Sequence, residues 1–329
     1  MYYIINLTQD GSKQNKYLSN TLLQKIDENI KKGKKTIIYI NRRGEFNCLF
    51  CKDCQHLYKC LNCDISISVH NNPKKLVCHI CGFTKDIDLR CEKCSSTNLD
   101  FAGVGTEQIE NSLKKIFPNI SIFRLDTDSI KNKTDKNNAL NKLYNSQIII
   151  GTKMITTGFD FQDVDLIAVI LLEQELVIPK YNIEEITYNN IKQLIGRGRN
   201  IDDKEIIIQT FLNNNETIKS ICEDNYKDFF KKTIEERKLF GYPPFNDFAI
   251  LEYRDPSEEK SLNFCKILKN KLDIINSKND FEIILNSKGF RKNNQFHHKI
   301  ILKGANLRDF LENIRYEIIR NPKLSLSFE

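Results

Sequence analysis

Eight cysteines between positions 51 and 94 are spaced as four Cys-x-x-Cys pairs, a spacing typical of metal sites. Two intervening residues allow one tight turn to present both thiolates to a single ion, and two such turns complete a tetrahedral shell of four sulfurs. Four pairs therefore predict two Zn²⁺ ions per chain, with iron in a similar shell as the alternative. Because four sulfur ligands leave no open position for a substrate, we expect both ions to be structural.

The residues between the cysteine pairs predict which pairs share an ion. The stretch DISISVH (64–70) alternates as a strand does, NNPKK is a turn and KLVC returns, so this hairpin brings Cys63 beside Cys78. We assign Cys48, which also has Cys-x-x-Cys spacing with Cys51, as a free thiol, although it could exchange roles with Cys54. The predicted inner site is Cys60, Cys63, Cys78 and Cys81, and the outer site nested around it is Cys51, Cys54, Cys91 and Cys94.

The composition indicates a cytoplasmic protein without membrane association. The first residues, MYYIINLTQD, lack the basic and apolar segments of a signal peptide, and the longest apolar run, 166–172, is far shorter than the ~20 residues of a membrane helix. In a reducing compartment, clustered cysteines indicate metal binding rather than disulfides. The formal net charge of +7 suits a polyanionic partner, although an ordinary lysine-rich surface gives the same signature.

Short β-branched runs alternate with helical patterns along the first two thirds of the chain, as in a parallel α/β sheet. The runs fall at 2–6, 36–40, 121–125, 147–152, 165–171 and 205–211, with helical patterns at 18–33 and 106–117. The cysteine block interrupts this alternation, so we interpret it as an insertion. The sequence thus predicts an α/β domain split across 1–46 and 101–215, around a zinc-binding insertion at 47–100.

The last part of the chain, 216–329, has a different pattern. A helical stretch at 216–241 ends at GYPPF, because prolines remove backbone donors and restrict the residue before them. Strand-like runs then alternate with helical patterns near 257–276 and 306–320. The runs lie at 248–253, 281–285 and 298–304. We therefore expect a helical linker and a small α+β domain.

Several stretches accompany the cysteine block and together resemble a known family. They are YINRRGEF (39–46), GVGTEQ (103–108), RLDTD (124–128), GTKMITTGFDFQDVDLIAVILLE (151–173), QLIGRGRN (193–200), LFGYPPF (239–245) and IILKG (300–304). In order and spacing they resemble the second motor lobe of the primosomal protein N′ family, the bacterial replication-restart helicases called PriA. The resemblance covers nearly the whole chain. It implies a RecA-like helicase lobe with an inserted two-zinc ribbon module, each zinc held by four cysteines, followed by a small α+β domain.

The segment IIIGTKMITTG (148–158) is a strand that ends in a Gly/Thr loop at the carboxyl edge of a parallel sheet, where α/β folds bind their ligands. A plain strand-to-helix turn is the alternative interpretation. Two arginines, Arg42 and Arg43, leave a strand at the same edge. The residues that could contact phosphates or a nucleic-acid backbone in the loop are Gly151, Thr152 and Gly158.

The segment QLIGRGRN resembles the helicase motif whose glutamine and arginine face ATP across the cleft between two lobes, with the arginine as a finger on the γ-phosphate. Gln193, Gly196 and Arg197 align with that motif. Where the family ends in Gly-Arg, this chain has Arg199 and then Asn200, so the finger is either shifted by one residue or lost.

A motor of this class also needs a first lobe with a G-x-x-x-x-G-K-[ST] loop and a Mg²⁺-binding acidic motif, and neither occurs in this sequence. The segment GKKT (33–36) does not qualify, because Gly33 ends a helical pattern instead of preceding one. We therefore expect ATP and Mg²⁺ to bind only with a complementary lobe 1, from a removed segment or a separate chain. This chain alone should not hydrolyse ATP.

Two functions from different classes are compatible with these features. The first is part of a replication-restart helicase, which by resemblance binds forked or single-stranded DNA, unwinds DNA 3′ to 5′ with ATP and contacts primosome proteins. The second is a non-catalytic zinc-ribbon scaffold, derived from a helicase, that docks on DNA or on other proteins. The altered end of QLIGRGRN and the missing P-loop favour the scaffold, whereas the retained loops of the other motifs favour the helicase.

Overall fold

The computed structural model of the chain describes residues 2–12, 15–41, 48–62, 66–71, 74–78, 81–125, 136–156, 161, 163–196, 204–278, 280–292 and 294–329. These residues form two compact units. Unit 1 comprises Met1–Tyr58, Asp88–Ile178 and Asn182–Phe229, and unit 2 comprises Lys59–Ile87, Pro179–Tyr181 and Phe230–Glu329. The finer division of the chain after residues 46, 100 and 215 stays a prediction.

The strands and helices of the described residues follow in chain order. The strands are β1 Tyr2–Asn6, β2 Lys35–Ile40, β3 Cys48–Cys51, β4 Ser68–Asn71, β5 Lys74–Val77, β6 Thr84–Asp86, β7 Leu99–Ala102, β8 Ile122–Leu125, β9 Ile148–Gly151, β10 Val164–Ile170, β11 Glu205–Thr210, β12 Asp247–Asp255, β13 Glu282–Lys292, β14 Gln295–Gly304 and β15 Leu324–Phe328. The helices are α1 Leu7–Asp10, α2 Asn20–Lys31, α3 Thr106–Ile116, α4 Lys136–Asn145, α5 Glu173–Leu176, α6 Ile183–Ile195, α7 Glu216–Cys222, α8 Tyr226–Leu239, α9 Glu258–Ile275, α10 Leu307–Glu312 and α11 Arg315–Arg320. A 3₁₀ turn covers Lys153–Thr156. None of these helices combines the length and the apolar character that crossing a membrane requires.

Unit 1 is built on a six-stranded sheet in the order β1-β11-β10-β2-β9-β8, and every neighbouring pair of strands in it is parallel. Its central strands are almost continuous runs of isoleucine, leucine and valine, as expected for strands that are covered on both faces. Residues 148–150 and 166–170 are all buried. Because the strands are parallel, their carboxyl ends all lie at one edge of the sheet, as the sequence predicts.

Helix α2 shows how local sequence sets the crossover between β1 and β2. The side chain of Ser19 accepts a hydrogen bond from the N–H of Leu22 at 3.0 Å and so caps the first turn. Leu22 and Ile26, one turn apart, are fully buried against the sheet. The helix ends before Gly33, whose φ of +68° favours glycine. The GKKT segment therefore follows a helix and cannot form a phosphate-binding helix start.

Unit 2 contains a four-stranded antiparallel sheet in the order β13-β14-β12-β15. One face of this sheet packs on α9, α10 and α11, with Leu251, Leu272 and Leu302 completely buried between the layers. The same unit holds a three-stranded antiparallel sheet, β4-β5-β6, from the cysteine block. An α/β lobe with a Cys-rich insertion, followed by an α+β domain, confirms the predicted RecA-like fold class.

Some predicted elements differ in detail from the structure. The helical stretch at 216–241 is two helices, because Asp224 adopts a φ of +54° and Asn225 then caps α8 by accepting from the N–H of Asp228 at 3.3 Å. The helix near 306–320 is likewise divided into α10 and α11. Helices α1, α4, α5 and α6 and strands β3, β6, β7 and β15 were not predicted.

Candidate metal centres and sheet-edge site

Three of the Cys-x-x-Cys turns share one backbone pattern. In the turns 51–56, 78–83 and 91–96, the carbonyl of the first cysteine accepts from the N–H four residues later, and its own N–H donates to the carbonyl five residues later, at 2.7–3.1 Å. The residue four positions after the first cysteine has a left-handed φ, which is +58° at Gln55, +76° at Gly82 and +61° at Ser95. The fourth turn is not fully described, since Cys63 lies outside the described residues.

The sulfurs of the outer cluster, Cys51, Cys54, Cys91 and Cys94, lie within 4.8 Å of one another. Cys51 Sγ is 3.7 Å from Cys94 Sγ, and Cys54 Sγ is 3.6 Å from Cys91 Sγ. These separations are far too long for disulfide bonds, which measure ~2.05 Å. The edge of a tetrahedron is about 1.6 times the distance from its centre to a corner, so Zn–S bonds of ~2.3 Å place the sulfurs about 3.8 Å apart. The outer cluster therefore has the dimensions of a zinc shell.

The thiols of the outer cluster also have the electrostatics of a cation site. Burial raises the pKa of the Cys91 thiol, but hydrogen bonds from the backbone N–H groups of Cys94 and Lys93 bring that pKa down to about 7. Burial and the hydrogen bond with Cys94 raise the pKa of Cys54 to about 12. Four thiols at this separation cannot all ionise on their own, because each thiolate disfavours the next. A divalent cation between them removes that repulsion, so the donor set fits a metal ion.

Polar side chains tie the two turns of the outer cluster to each other. Asp53, in the first turn, accepts hydrogen bonds from Ser96 Oγ, at the end of the second turn, and from Asn98 Nδ2, just after that turn, at 2.9 Å. His56 Nε2 lies 2.8 Å from a carboxylate oxygen of Glu92. The imidazole of His56 is thus engaged by an acidic side chain and stands outside the group of clustered sulfurs.

The outer cluster is anchored to the parallel sheet of unit 1. Phe50, the residue before Cys51, is fully buried and stacks on Phe211 at a centroid distance of 5.1 Å and an interplanar angle of 24°. Phe211 directly follows β11. Gln55 accepts a hydrogen bond from the N–H of Asn214 at 2.7 Å, and its amide donates to Asn213 Oδ1. These contacts fix the cysteine turn to the carboxyl end of β11.

Three sulfurs of the predicted inner site, those of Cys60, Cys78 and Cys81, also lie within 4.8 Å of one another. Cys60 Sγ is 3.7 Å from Cys81 Sγ, a separation that again matches the edge of a zinc tetrahedron. The β4–β5 hairpin leads into Cys78, and a backbone bridge between Lys59 and Ser66 precedes it. The strand begins at Ser68, later than the predicted start at 64.

The predicted loop at the sheet edge is described up to Thr156. Gly151 is the last residue of β9, and a Cβ at this position would lie 2.4 Å from Ile155 Cγ2 and 3.1 Å from the carbonyl oxygen of Leu125. Glycine is therefore required here for the close packing of the following 3₁₀ turn. Thr152 opens that turn, its carbonyl oxygen accepting from the N–H of Ile155 at 2.9 Å. Gly158, also predicted at this site, lies outside the described residues.

Helix α6 carries the described part of the second predicted motif. Gln193 lies in its last turn with an exposed side chain, and Gly196 is the exposed C-terminal cap, whose N–H donates to the carbonyl of Lys192 at 3.0 Å. Helix α6 packs against the 3₁₀ turn that follows Thr152. The predicted arginines, Arg197 and Arg199 in this motif and Arg42 and Arg43 after β2, lie outside the described residues.

Sequence reasoning missed the short helix α5, whose side chains join several parts of unit 1. Glu173, Gln174 and Glu175 are all buried. Glu173 accepts from Thr210 Oγ1 at 2.6 Å and from the N–H of Phe211 at 2.8 Å, and burial raises its pKa. The amide of Gln174 donates to the carbonyl of Val104 at 3.3 Å. The sequence feature that could have indicated these contacts is a polar triplet inside an apolar run, VILLEQELVIP (169–179). Polar residues in such a run are buried and must find hydrogen-bond partners.

Comparison with known proteins identifies the family of this chain. The profile of the PriA DNA helicase Cys-rich region (CRR) domain matches residues 60–85, which contain the inner cysteines. Replication restart protein PriA of Chlamydia pneumoniae is 33% identical over 310 residues, covering 92% of this chain and 41% of that protein. The protein of the same name from Borreliella burgdorferi is 31% identical over 265 residues, covering 80% of this chain and 39% of that protein.

A third relative, replication restart protein PriA of Bacillus subtilis, is 31% identical over 233 residues, which are 70% of this chain and 29% of that protein. The chain thus spans well under half the length of the curated relatives it matches, in their carboxyl-terminal part. With the parallel lobe, the Cys-rich insertion and the α+β domain in the order described above, the chain belongs to the PriA family of replication restart proteins.

Proposed function

We propose that this chain provides the second motor lobe, the zinc-binding region and the C-terminal domain of a replication restart DNA helicase. In this function it binds forked or single-stranded DNA, cooperates with primosome proteins, and contributes to ATP-dependent 3′-to-5′ unwinding together with a lobe 1. The observation that carries the proposal is the outer cysteine cluster, which is held against the carboxyl end of β11 in a RecA-like sheet by the Phe50–Phe211 stack. Family membership supports the same function.

The metal part of the proposal is two structural Zn²⁺ ions. Cys51, Cys54, Cys91 and Cys94 would hold one ion, and Cys60, Cys63, Cys78 and Cys81 the other. Sulfur separations of 3.6–3.7 Å, the repeated turn geometry and the lowered pKa of Cys91 support zinc in this role. A bound ion would supply folding energy to segments that are too short to form a core of their own.

In the nucleotide part of the proposal, Gln193 and Gly196 contact bound ATP, and Arg197 or Arg199 supplies the arginine finger. Gly151, Thr152 and Gly158 would contribute backbone groups at the same edge of the sheet. The support is positional, because the carboxyl ends of β2 and β9 and the 3₁₀ turn packed on α6 meet at the edge where parallel α/β folds bind ligands. Without a P-loop in this sequence, hydrolysis requires a complementary lobe 1, from a removed segment or a separate chain.

This part is tested by mixing the chain with the separately produced amino-terminal part of the Chlamydia pneumoniae relative and measuring DNA-stimulated ATP hydrolysis. We expect no turnover by either part alone and turnover by the mixture. Arg197→Ala or Arg199→Ala should then lower kcat by about 10³-fold, as loss of an arginine finger does. Arg90→Ala, at an exposed arginine of the same unit, is the matched control. If the mixture hydrolyses ATP as fast with both arginines replaced as with the wild-type chain, the result would favour the scaffold function over the helicase.

The DNA part of the proposal rests on a basic hairpin formed by β13 and β14. From residue 287 to residue 299 the sequence has four lysine or arginine residues, two histidines, two phenylalanines and no acidic residue. Phe290 stacks on His297 at 4.8 Å, and Lys299 Nζ lies 5.1 Å from the centre of the Phe290 ring. Lys288 and Arg291 are exposed. Basic groups beside aromatic rings are the combination that binds single-stranded nucleic acid, through phosphates and base stacking.

The hairpin is tested by binding of a fluorescent forked DNA at several salt concentrations. Lys288→Glu with Arg291→Glu should weaken binding by at least about tenfold and lower the slope of log K against log salt by about 2, because two phosphate contacts are lost. The control is Lys266→Glu with Arg315→Glu, at exposed positions on α9 and α11, which changes the net charge equally. Equal losses in both double variants would mean that net charge, and not the hairpin, determines binding.

A further inference from the structure

Glu175 connects the end of a central strand to the helix that carries the second motif. One carboxylate oxygen accepts a hydrogen bond from Tyr39 Oη at 2.7 Å, and the other accepts from Asn190 Nδ2. All three residues are at least 95% buried, with Tyr39 on β2 and Asn190 on α6. Burial, and then the charge of Glu175, raises the pKa of Tyr39 well above its usual value, so the phenol stays a donor. A buried carboxylate therefore fixes α6 to β2.

The hydrogen bond between Glu175 and Asn190 lies one turn before the exposed C-terminal end of α6. Asn190 and Gln193 are three residues apart, and residues at that spacing are neighbours on one side of a helix. Asn190 points inward to Glu175, whereas Gln193 is exposed in the next turn, followed by the cap at Gly196. A rotation of α6 about its axis would break the Asn190 contact and redirect Gln193. The position of Asn190 therefore determines where Gln193 projects.

An apolar side chain at position 175 would fill the same space at a lower desolvation cost, because replacing buried charges by well-packed apolar residues is often neutral or stabilising. What an apolar side chain cannot provide is direction, since packing alone tolerates small shifts of a helix that a hydrogen bond does not. We propose that Glu175 is a positioning residue that holds α6 in the rotational setting required by Gln193. The importance of that setting for ATP rests on the proposed function.

The neighbouring Glu173 offers a matched control, because it is equally buried and lies on the same short helix but binds the end of β11 instead of α6. The experiment compares amide hydrogen exchange in the whole chain for Glu175→Leu, Glu175→Gln and Glu173→Leu. In Glu175→Leu, amides 191–196 should exchange about tenfold faster or more, whereas Glu175→Gln, which keeps an acceptor, should restore protection nearly to that of the wild type. In Glu173→Leu, faster exchange should appear around residues 210–212 and not in α6.

A second variant keeps the test decisive if Glu175→Leu fails to fold. Asn190→Ala removes only the helix side of the contact with a residue that favours helices, and it should reproduce the faster exchange of 191–196. Unchanged protection of α6 in both variants, or equal loosening by Glu173→Leu, would overturn the proposal. In the complemented complex, Glu175→Leu should lower kcat for ATP with little change in KM. If complementation gives no ATPase at all, the proposed function fails while the exchange result still decides the role of Glu175.

Discussion

Gly82→Ala tests the geometry of the Cys-x-x-Cys turn in the inner cluster. Gly82 has a φ of +76°, and a Cβ there would lie 2.8 Å from Asn286 Oδ1. Left-handed backbone costs an alanine roughly 1–2 kcal/mol. Asn286 Oδ1 accepts from the N–H of Lys288 at 3.2 Å, and moving it away would cost about 0.5–1.5 kcal/mol more.

The sum, about 1.5–3.5 kcal/mol, corresponds to a loss of roughly 10- to 400-fold in zinc affinity if the cost falls on the metal-bound state of the inner cluster. The assay is stepwise competition for zinc between the protein and a chromophoric chelator, in which one of two ions should be released much earlier. Ser95→Ala is the control, since Ser95 occupies the same turn position in the outer cluster and already has a side chain at φ +61°. Release of both ions at unchanged chelator concentrations would refute the reasoning.

Three further predictions concern the metal, the buried carboxyl and the anchor of the outer cluster. Elemental analysis should give two zinc ions and no iron per chain. Cys60→Ser should lose one of these ions, and the residues around the inner cluster should then unfold more readily than the α/β lobe. Because burial raises the pKa of Glu173 in the folded state, its contribution to stability declines as pH rises above the usual carboxyl value near 4.5. In urea titrations, the stability of Glu173→Gln relative to the wild type should therefore increase as the pH is raised above about 4.5. A double-mutant cycle of Phe50→Leu and Phe211→Leu should give a coupling of about 0.5–1.5 kcal/mol, and a coupling of zero would mean that the stack does not anchor the cluster.

Most of the α/β lobe was predictable because its buried strands are short continuous apolar runs and its helices α2 and α3 follow a helical hydrophobic period. The isoleucine-rich run at 148–150 and the capped helix α2 are local signals, and the structure confirms both. The cysteine spacing is another local signal. Helix α6 was not predicted, although its buried residues Ile183, Ile191 and Leu194 follow a helical period. Strand β15 was not predicted either, although its sequence, LSLSF, has a clear period of two.

Tertiary contacts were beyond prediction from this single sequence. Nothing local to Glu175 indicates that Tyr39, 136 residues earlier in the chain, will donate to it. The division of the stretch 216–241 into α7 and α8 depends on the left-handed backbone of one residue, Asp224, and aspartate does not signal that conformation as glycine would. The left-handed residue of the cysteine turns is glycine in only one of the three described cases. The repeated turn geometry therefore cannot be predicted from the residue type at this position.

The thiolate clusters change the electrostatic character of the whole chain when they hold metal. A zinc ion with four thiolates carries a formal charge of −2, so two filled clusters lower the formal net charge from +7 to roughly +3. Loss of zinc with reprotonation of the thiols therefore makes the chain more basic and strengthens its salt-sensitive attraction to any polyanion. On the proposed function, a preparation that has lost metal should bind DNA more tightly but less selectively. Cation-exchange chromatography should separate the two forms, with the metal-free chain eluting at higher salt.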